Sequence, residues 1–300
     1  MPAVEVSGLR IEYESLGNPS DPAIVLIMGL GMQLVAWPDA FCEGLVARGF
    51  RVIRFDNRDC GLSGKVRLKK KPNVLLAFAS AWLGLPVRAP YTLGDMAADT
   101  AGLLDALKIE RAHIVGASMG GMIAQVFAAR YPQRTLSLTS IMSSSGNRKV
   151  SRAKREAMQA LLSRPPDPKD EDSVIEHLAG VFGVIGSPGY PAEHGELRRR
   201  IGRSVRRGYD PAGTARQLLA ILDSGDRRRL LAKIEAPTLV IHGADDPLVP
   251  VEAGKDTAAH IRGARLQIIE GMGHDLPTVL LPELAEAIAA HCKQVGGYPE

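Results

Sequence analysis

Ser118 lies in a Gly-x-Ser-x-Gly pentapeptide with Gly116 and Gly120, between a short apolar run and a helix-forming stretch. A strand that ends in so tight a turn strains the serine backbone, so small neighbours are sterically required at both glycines. The hydroxyl is then exposed as a nucleophile. The helix from Met119 turns unpaired N–H groups and its positive dipole end toward a developing oxyanion. The pentapeptide alone also fits a glycine-rich turn with an exposed serine.

A nucleophilic serine needs a base, and the base needs an acid that orients it. A β-branched strand predicted over 238–242 runs into a loop that contains Asp246, and Pro247 stops that strand just after the carboxylate. A second predicted strand, 265–269, leads into a loop in which glycines on either side of Met272 precede His274. Serine, aspartate and histidine thus occur in this order, each just after a strand, and together they could carry out acyl transfer.

Other candidate groups in the sequence favour structural roles. His113 and His242 lie on predicted strands and are interpreted as hydrogen-bonded packing groups. The remaining histidines, at 177, 194, 260 and 291, show no partner spacing. The three cysteines form no Cys-x-x-Cys, so no metal site is expected. Cys60 is interpreted as a buried thiol rather than a nucleophile.

Four separated segments carry a family resemblance that covers nearly all of the chain. They read IVLIMGLGMQ at 24–33, RVIRFDNRDCGLSG at 51–64, GASMGG at 116–121, and HGADDPLVP with GMGHDLP toward the C-terminal end. The chain resembles the α/β-hydrolase family, and the MGLG and FDNRDCGLS wording is most similar to its esterase branch of aclacinomycin methylesterase-like proteins. The resemblance implies a mostly parallel, eight-stranded sheet flanked by helices, with an inserted helical cap.

The resemblance also implies site residues that the motifs alone leave open. The loop after the strand at 24–28 usually reads His-Gly in the family and supplies an oxyanion donor, whereas here it reads Met-Gly-Leu. The amides of Leu30 and Met119 are therefore predicted to form the oxyanion hole, although Gly31 could offer its amide instead of Leu30. The family's acid occupies the fourth position of Gly-x-x-Asp, which favours Asp246 over the adjacent Asp245.

Strand and helix signals alternate as expected for a parallel sheet with crossover helices. Strands are predicted at 24–28, 51–55, 113–116 and 136–141, and helices at 38–48, 94–107 and 119–131. From 146 to 233 the strand signal disappears and helix-like stretches are interrupted by prolines and glycines. The predicted organisation is a core of residues 1–145 and 234–300 with a cap of residues 146–233, which would cover the serine and shape its pocket.

The predicted cap is more basic than the chain as a whole. Residues 148–233 contain 18 lysines and arginines against 11 acidic residues, whereas the whole chain has 37 against 33. The arginine runs at 198–200 and 227–229 could attract anionic substrates or make weak contact with a membrane surface. Alternatively, they could be solvated helix faces or oligomer contacts. No recognition motif accompanies them, so nucleic acid is not an expected partner.

Residues 73–87 form an apolar stretch after a basic run at 65–71. The stretch is shorter than the ~20 residues that span a bilayer. It could line an apolar tunnel, lie against a lipid interface, or form a helix between core and cap. Each of these readings predicts an apolar pocket. The N-terminal residues lack a basic start and an apolar run, which with the odd cysteine count favours a cytoplasmic location.

Together these observations predict a serine hydrolase that cleaves carboxylic esters with a hydrophobic acyl or alcohol part, without a cofactor. The same residues could serve a thioesterase, lysophospholipase or lactonase, or a cofactor-free perhydrolase, because these activities differ in pocket shape. A protein of a different class, a non-catalytic ligand-binding protein of the same fold, typically lacks one of the three residues. Neither the natural ester nor the oligomeric state follows from the sequence.

Overall fold

One sheet organises the part of the chain that the structure, a computed structural model, describes, namely residues 2–68, 74–83 and 85–296. Its eight strands are β1 (Ala3–Val6), β2 (Leu9–Leu16), β3 (Ala23–Ile27), β4 (Arg51–Phe55), β5 (Ala112–Ala117), β6 (Thr135–Ile141), β7 (Thr238–Gly243) and β8 (Arg265–Ile269). They lie in the order β1-β2-β4-β3-β5-β6-β7-β8. The pairings from β4 through β3 to β8 are parallel, and β1 and β2 add an antiparallel edge.

Helices cover both faces of the sheet and form the segment between β6 and β7. They are α1 (Asp39–Val46), α2 (Val74–Trp82), α3 (Leu93–Ala106), α4 (Met119–Arg130), α5 (Arg155–Leu162), α6 (Glu171–Ile185), α7 (His194–Arg207), α8 (Pro211–Ser224), α9 (Arg228–Leu231), α10 (Val251–Ala259) and α11 (Leu281–Gly296). The predicted mostly parallel, eight-stranded sheet flanked by helices is confirmed, and the predicted strands agree with the observed ones to within one residue.

The central strands are apolar throughout because both of their faces are buried. Ile114 and Val115, neighbours on β5, are both fully buried but belong to opposite hydrophobic clusters. Ile114 packs in the cluster that includes Phe127 of α4, and Val115 packs in the cluster that includes Phe41 of α1. A buried parallel strand therefore reads as a continuous apolar run, which is what made these strands recognisable.

The antiparallel edge was missed by the sequence analysis. Within residues 3–13 the apolar side chains Val4, Val6, Leu9, Ile11 and Tyr13 alternate with polar ones, except at the turn. The backbone of this turn is left-handed at Ser7 and Gly8. This period-two pattern is the signal of a half-covered hairpin, so the edge was detectable in principle.

Residues 146–233, all of which the structure describes, contain the five helices α5 to α9 and no strand. Residues 146–233 are called the cap below. α6 packs on α7 through Ile175, Ala179 and Ile201, while Leu219 of α8 packs on Ala77 and Ala81 of α2. The cap helices therefore pack on one another and on the apolar stretch that follows β4.

The apolar stretch at 73–87 forms α2 over its first part, although residues 73 and 84 lie outside the described residues. Val87 joins Ala77 and Ala81 against α8, as expected of a helix between core and cap. Among the described residues, no helix is both long and apolar enough to pass through a bilayer.

Candidate active site

Ser118 occupies the turn between β5 and α4, with φ 55° and ψ −119°. This left-handed conformation is rare for a residue with a side chain, and it is sustained by tight packing around the turn. A methyl group at Gly116 would collide with the carbonyl of Gly120, and one at Gly120 would collide with the carbonyl of Ile27. Gly116 is therefore required where β5 approaches α4, and Gly120 where α4 approaches the end of β3.

His274 and Asp246 lie beside Ser118 in one hydrogen-bonded series. The Ser118 Oγ is 2.9 Å from the Nε2 of His274, and the Nδ1 of His274 is 2.7 Å from the Oδ2 of Asp246. The other carboxylate oxygen of Asp246 accepts hydrogen bonds from the amides of Leu248 and Val249, at 2.9 and 2.8 Å. With Asp246 accepting at Nδ1, the proton of a neutral His274 resides on Nδ1, and Nε2 can accept a proton from the serine.

His242 lies behind this series and is hydrogen-bonded to the backbone. Its Nε2 is 2.7 Å from the carbonyl of Val249, which only a protonated nitrogen can approach as a donor. Burial lowers the pKa of His242 below its usual value, opposed by the Val249 hydrogen bond and the charge of Asp246, from which it is 3.7 Å away. Of the two imidazoles, His274 is thus the one within hydrogen-bond distance of Asp246. The interpretation of His242 as a packing group agrees with this position.

The loop that carries His274 is held by the cap and by Asp245. The amide of His274 donates to the carbonyl of Ile185 at 2.7 Å, and the amide of Gly273 donates to the Ser187 hydroxyl at 2.8 Å. Asp245, the alternative acid, accepts a 3.0 Å hydrogen bond from the amide of Gly271 instead of contacting the imidazole. Asp245 therefore positions the histidine loop from its far end.

The loop after β3 faces the serine with its backbone. A methyl group at Gly29 would lie 3.1 Å from the Ser118 Cβ and 3.6 Å from its Oγ. The amide of Gly31 already donates to Gln217 at 2.8 Å, whereas no acceptor for the amide of Leu30 is found among the described residues. The amide of Met119 is at the first position of α4, where helical N–H groups have no intrahelical acceptor. The amides of Leu30 and Met119 are thus two backbone donors that have no acceptor among the described residues.

A cavity of about 1800 Å³ opens onto Ser118 and His274. Its apolar wall comes from the core and from the cap, and includes Met122, Met142, Phe182, Ile201, Leu218 and Leu248. Val74, Phe78 and Ala81 of α2 also line it, which agrees with the tunnel-lining interpretation of the apolar stretch. Arginines that line the cavity from the cap are at 148, 152, 155, 164, 200 and 227. The cavity therefore combines an apolar wall with cationic side chains.

The loop after β4 carries buried charges that the sequence analysis did not assign. Asp56, Arg58 and Asp59 are all buried. Asp59 pairs with Arg216 of α8 through two hydrogen bonds of 2.7 and 2.8 Å, and Arg58 pairs with Asp99 of α3 at 2.6 and 2.7 Å. Charges of this density directly after a buried strand were the available signal, since buried charges must be paired.

Asp56 joins the same loop to the cap and to the segment after β3. Its carboxylate accepts from the amides of Leu34 and Leu62 at 2.8 and 2.9 Å, and pairs with Arg207 at the end of α7. Cys60 in this loop is buried, and burial raises its thiol pKa to about 12. A thiol with so high a pKa is inert as a nucleophile, in agreement with the interpretation of Cys60.

The arginine run at 227–229 departs from the prediction of a solvated face or contact surface. Arg227 is only 5% exposed, and its guanidinium donates to the carbonyls of Ser144 and Gly225. Burial lowers its pKa to about 10. Arg228 is exposed and pairs with Asp226 at 2.7 Å. The prediction was wrong for Arg227 because the long guanidinium caps backbone carbonyls that the cap entry would otherwise leave unpaired.

Comparison with known proteins identifies the family. A model of the alpha/beta hydrolase fold matches residues 22–277. The rhodomycin D methylesterases of Streptomyces peucetius and of Streptomyces sp. strain C5 are each 30% identical to this chain, covering 93% of it and 94% of their own length. The crystal structure of the enol-lactonase from Burkholderia xenovorans LB400 superposes with a TM-score of 0.72 at 25% identity, covering 99% of this chain and 100% of that one. The chain therefore belongs to the α/β-hydrolase family.

Proposed function

We propose that this protein is a serine hydrolase that cleaves carboxylic esters through an acyl-enzyme. The observation that carries the proposal is the series of hydrogen bonds from Ser118 through His274 to Asp246, at 2.9 and 2.7 Å, at the wall of a large apolar cavity. A base within hydrogen-bond reach of a hydroxyl, and itself oriented by a buried carboxylate, is the arrangement that activates a serine.

In the first half-reaction, His274 accepts the hydroxyl proton as the Ser118 Oγ attacks the ester carbonyl. The carbonyl oxygen becomes an oxyanion that the amides of Leu30 and Met119 stabilise by hydrogen bonding. Collapse of this intermediate expels the alcohol, which takes the proton from His274. Water then attacks the acyl-enzyme by the same route, and Asp246 stabilises the imidazolium in both halves.

For the substrate, we propose an ester of a bulky hydrophobic acid with a short alcohol such as methanol. Ligand pockets commonly measure about 300–1,000 Å³, and this cavity of about 1800 Å³ exceeds that range. The Streptomyces relatives are named as methylesterases of rhodomycin D, which supports a small leaving group and a large acyl part. The enol-lactonase likeness makes lactone hydrolysis the second candidate to test.

The test is hydrolysis of matched methyl esters, from acetate to a polycyclic aromatic carboxylate, by the wild type and by Ser118→Ala. We expect the Ser118→Ala variant to lose at least about 1,000-fold in kcat, as nucleophile deletions in triad enzymes do, with an unchanged circular dichroism spectrum. The wild type should prefer the polycyclic methyl ester in kcat/KM.

A fluorophosphonate probe tests the nucleophile independently of the substrate. The wild type should be labelled at Ser118, and Ser20→Ala, which changes an exposed serine that does not line the cavity, should be labelled equally. Turnover retained by Ser118→Ala would refute the proposed mechanism. Labelling without hydrolysis of any methyl ester, but with hydrolysis of lactones, would keep the nucleophile and replace the substrate class.

A further inference from the structure

Gln217 of α8 connects two loops of the core through both ends of its side-chain amide. Its Oε1 accepts a hydrogen bond from the amide of Gly31 at 2.8 Å, and its Nε2 donates to the carbonyl of Arg58 at 2.8 Å. The side chain is fully buried. A buried primary amide is costly to leave unpaired, so both bonds constrain the loops on either side of it.

The bond from Gly31 belongs to a set that fixes the loop facing the serine. The carbonyl of Met28 accepts from the Asn57 side chain at 2.9 Å, and the carbonyl of Gly29 accepts from the amide of Met32 at 3.2 Å. In a trans peptide the N–H points opposite to the preceding C=O. Because the Gly29 carbonyl points toward the Met32 amide, the Leu30 N–H points away from Met32. Gln217 accepts from the following amide, that of Gly31.

Close packing of Gly31 against α8 keeps its amide hydrogen-bonded to Gln217. Gly31 has φ +67°, and a methyl group there would lie 2.7 Å from the Oγ1 of Thr214 on α8. The backbone of α8 is held in turn by the Asp210 side chain, which accepts from the Gly213 amide at 2.9 Å, and by the adjacent Arg216–Asp59 pair. The Gln217 side chain is thus fixed at both ends of its amide, and it extends from the cap to the loop after β3.

We propose that Gln217 is a positioning residue that sets the direction of the Leu30 amide in the oxyanion hole. This inference rests on the proposed function, because it assigns Gln217 a part in stabilising the oxyanion of that reaction. Without the side-chain acceptor, the Gly31 N–H would need another partner, and the Gly29–Gly31 backbone has two glycines that allow it to rotate. The Leu30 donor would then be misaligned.

The expected effect is on the transition state rather than on substrate binding. Loss of one oxyanion donor costs about 100- to 1,000-fold in kcat, so misalignment of a donor that is still present should cost less, about 10- to 100-fold. KM should change by less than about threefold, because the hole is complementary to the oxyanion and not to the ground-state carbonyl.

The first test compares Gln217→Met with Gln217→Glu on a methyl ester that the wild type hydrolyses. Methionine preserves the size of the side chain and loses both hydrogen bonds, whereas glutamate keeps an acceptor for the Gly31 amide. We expect Gln217→Met to lose about 10- to 100-fold in kcat and Gln217→Glu to recover at least half of that loss on a logarithmic scale. Gln133→Met, the same change at an exposed site, should match the wild type.

A second readout separates positioning from general disruption of the structure. A trifluoromethyl ketone forms a hemiketal with the serine and places an oxyanion in the hole, so its affinity should fall in parallel with kcat in Gln217→Met. A variant that is merely loosened would instead show a raised KM. If Gln217→Met does not fold, Gln217→Ser, which leaves space for water at the lost bonds, replaces it with the same expectation.

The outcomes separate this inference from the proposed function. If Ser118→Ala abolishes turnover but Gln217→Met keeps kcat within threefold of the wild type, Gln217 has no positioning role and the esterase proposal stands. A folded Gln217→Glu that is as slow as Gln217→Met would also overturn the role of the Gly31 bond. If Ser118→Ala remains active, the proposed function itself fails.

Discussion

The cap meets the core at two junctions, and they differ in the kind of contact that holds them. At the histidine junction, residues 185–190 after α6 contact the loop 271–275 chiefly through backbone groups, as in the 2.7 Å bond from His274 to Ile185 and the 2.9 Å bond from Gly189 to Gly271. At the oxyanion junction, residues 207–217 contact the loops after β3 and β4 through buried side chains, with ion pairs at Asp56 and Asp59.

Because these contacts differ, the two parts of the proposed site should respond to different kinds of substitution. Backbone contacts do not depend on which side chain is present, but they break when the two backbone segments are pushed apart. Buried ion pairs depend on both partners, because removal of one leaves the other charged and without a partner in a low-dielectric site. Substitutions chosen for each junction can therefore separate the two.

The largest effect on stability is expected at the oxyanion junction from Arg216→Met. Asp59 is 1% exposed, so its buried carboxylate would lose its ion-pair partner, and the free energy of unfolding should fall by about 3–5 kcal/mol. Equilibrium urea unfolding measures this loss. The double variant Arg216→Met with Asp59→Asn should regain most of it, since asparagine tolerates the left-handed backbone at this position, where φ is +66°. A loss below 1 kcal/mol in the single variant would remove the distinction between the junctions.

At the histidine junction, Gly273→Ala should affect kcat more than any side-chain deletion there. The added methyl group would collide with the carbonyl of Gly186, so the histidine loop and the cap segment must separate. A displacement near 1 Å of a catalytic group can cost about 100-fold, so we expect kcat to fall by about 10- to 100-fold. Steady-state kinetics on a methyl ester measures the effect.

Gly183→Ala is the matched control, because nothing lies within 4 Å of a methyl group at this exposed position of α6. It should leave kcat unchanged and stabilise the helix by about 0.5–1 kcal/mol. Equal losses of activity in both alanine variants would show that the cap as a whole, and not the close approach at the junction, determines the rate.

Ser187→Ala tests a side-chain contact at the histidine junction, the hydrogen bond from Ser187 to Asp275. Burial raises the pKa of Asp275, and the hydrogen bond from the Ser187 hydroxyl opposes this shift by stabilising the carboxylate. When the pKa of a carboxyl group is higher in the folded than in the unfolded state, the folded protein loses stability as the pH rises above the unfolded-state pKa. Removal of the hydroxyl should raise the pKa further, so the destabilisation by Ser187→Ala should be greater at pH 7 than at pH 4. Urea unfolding at the two pH values checks this, and a pH-independent difference would contradict it.

The sequence predicted the family and the sheet because each depends on local patterns. The family resemblance, the fold class and the carboxylesterase-type assignment are confirmed by the family match and the methylesterase relatives. Ser118, Asp246 and His274 could be chosen because each follows a strand of one parallel sheet, and such strand ends share an edge. Their catalytic roles, with those of Leu30 and Met119, remain predictions.

The cap contacts could not be predicted in the same way, because their partners are distant in sequence. Gln217 lies 186 residues from Gly31 and Arg216 lies 157 residues from Asp59, and neither side chain belongs to a local motif. A glutamine or arginine on an amphipathic helix is expected to be solvated, and only the packing of α8 against the loop after β4 buries it. Arg227 was misjudged for the same reason.

The smallest effect is expected from an ion pair inside the cap that belongs to neither junction. Arg206 of α7 and Glu171 of α6 are 2.8 Å apart, but their side chains are 62% and 51% exposed. Exposed pairs contribute little, because water and salt screen the charges and both side chains lose freedom on pairing. Arg206→Ala should therefore change the free energy of unfolding by less than about 0.5 kcal/mol and leave kcat within twofold. Since Arg206 directly precedes Arg207, whose guanidinium pairs with the buried Asp56, Arg207→Ala measured beside it gives the contrast. A large loss in both variants would mean that the packing of α7, and not the buried ion pair, holds the oxyanion junction.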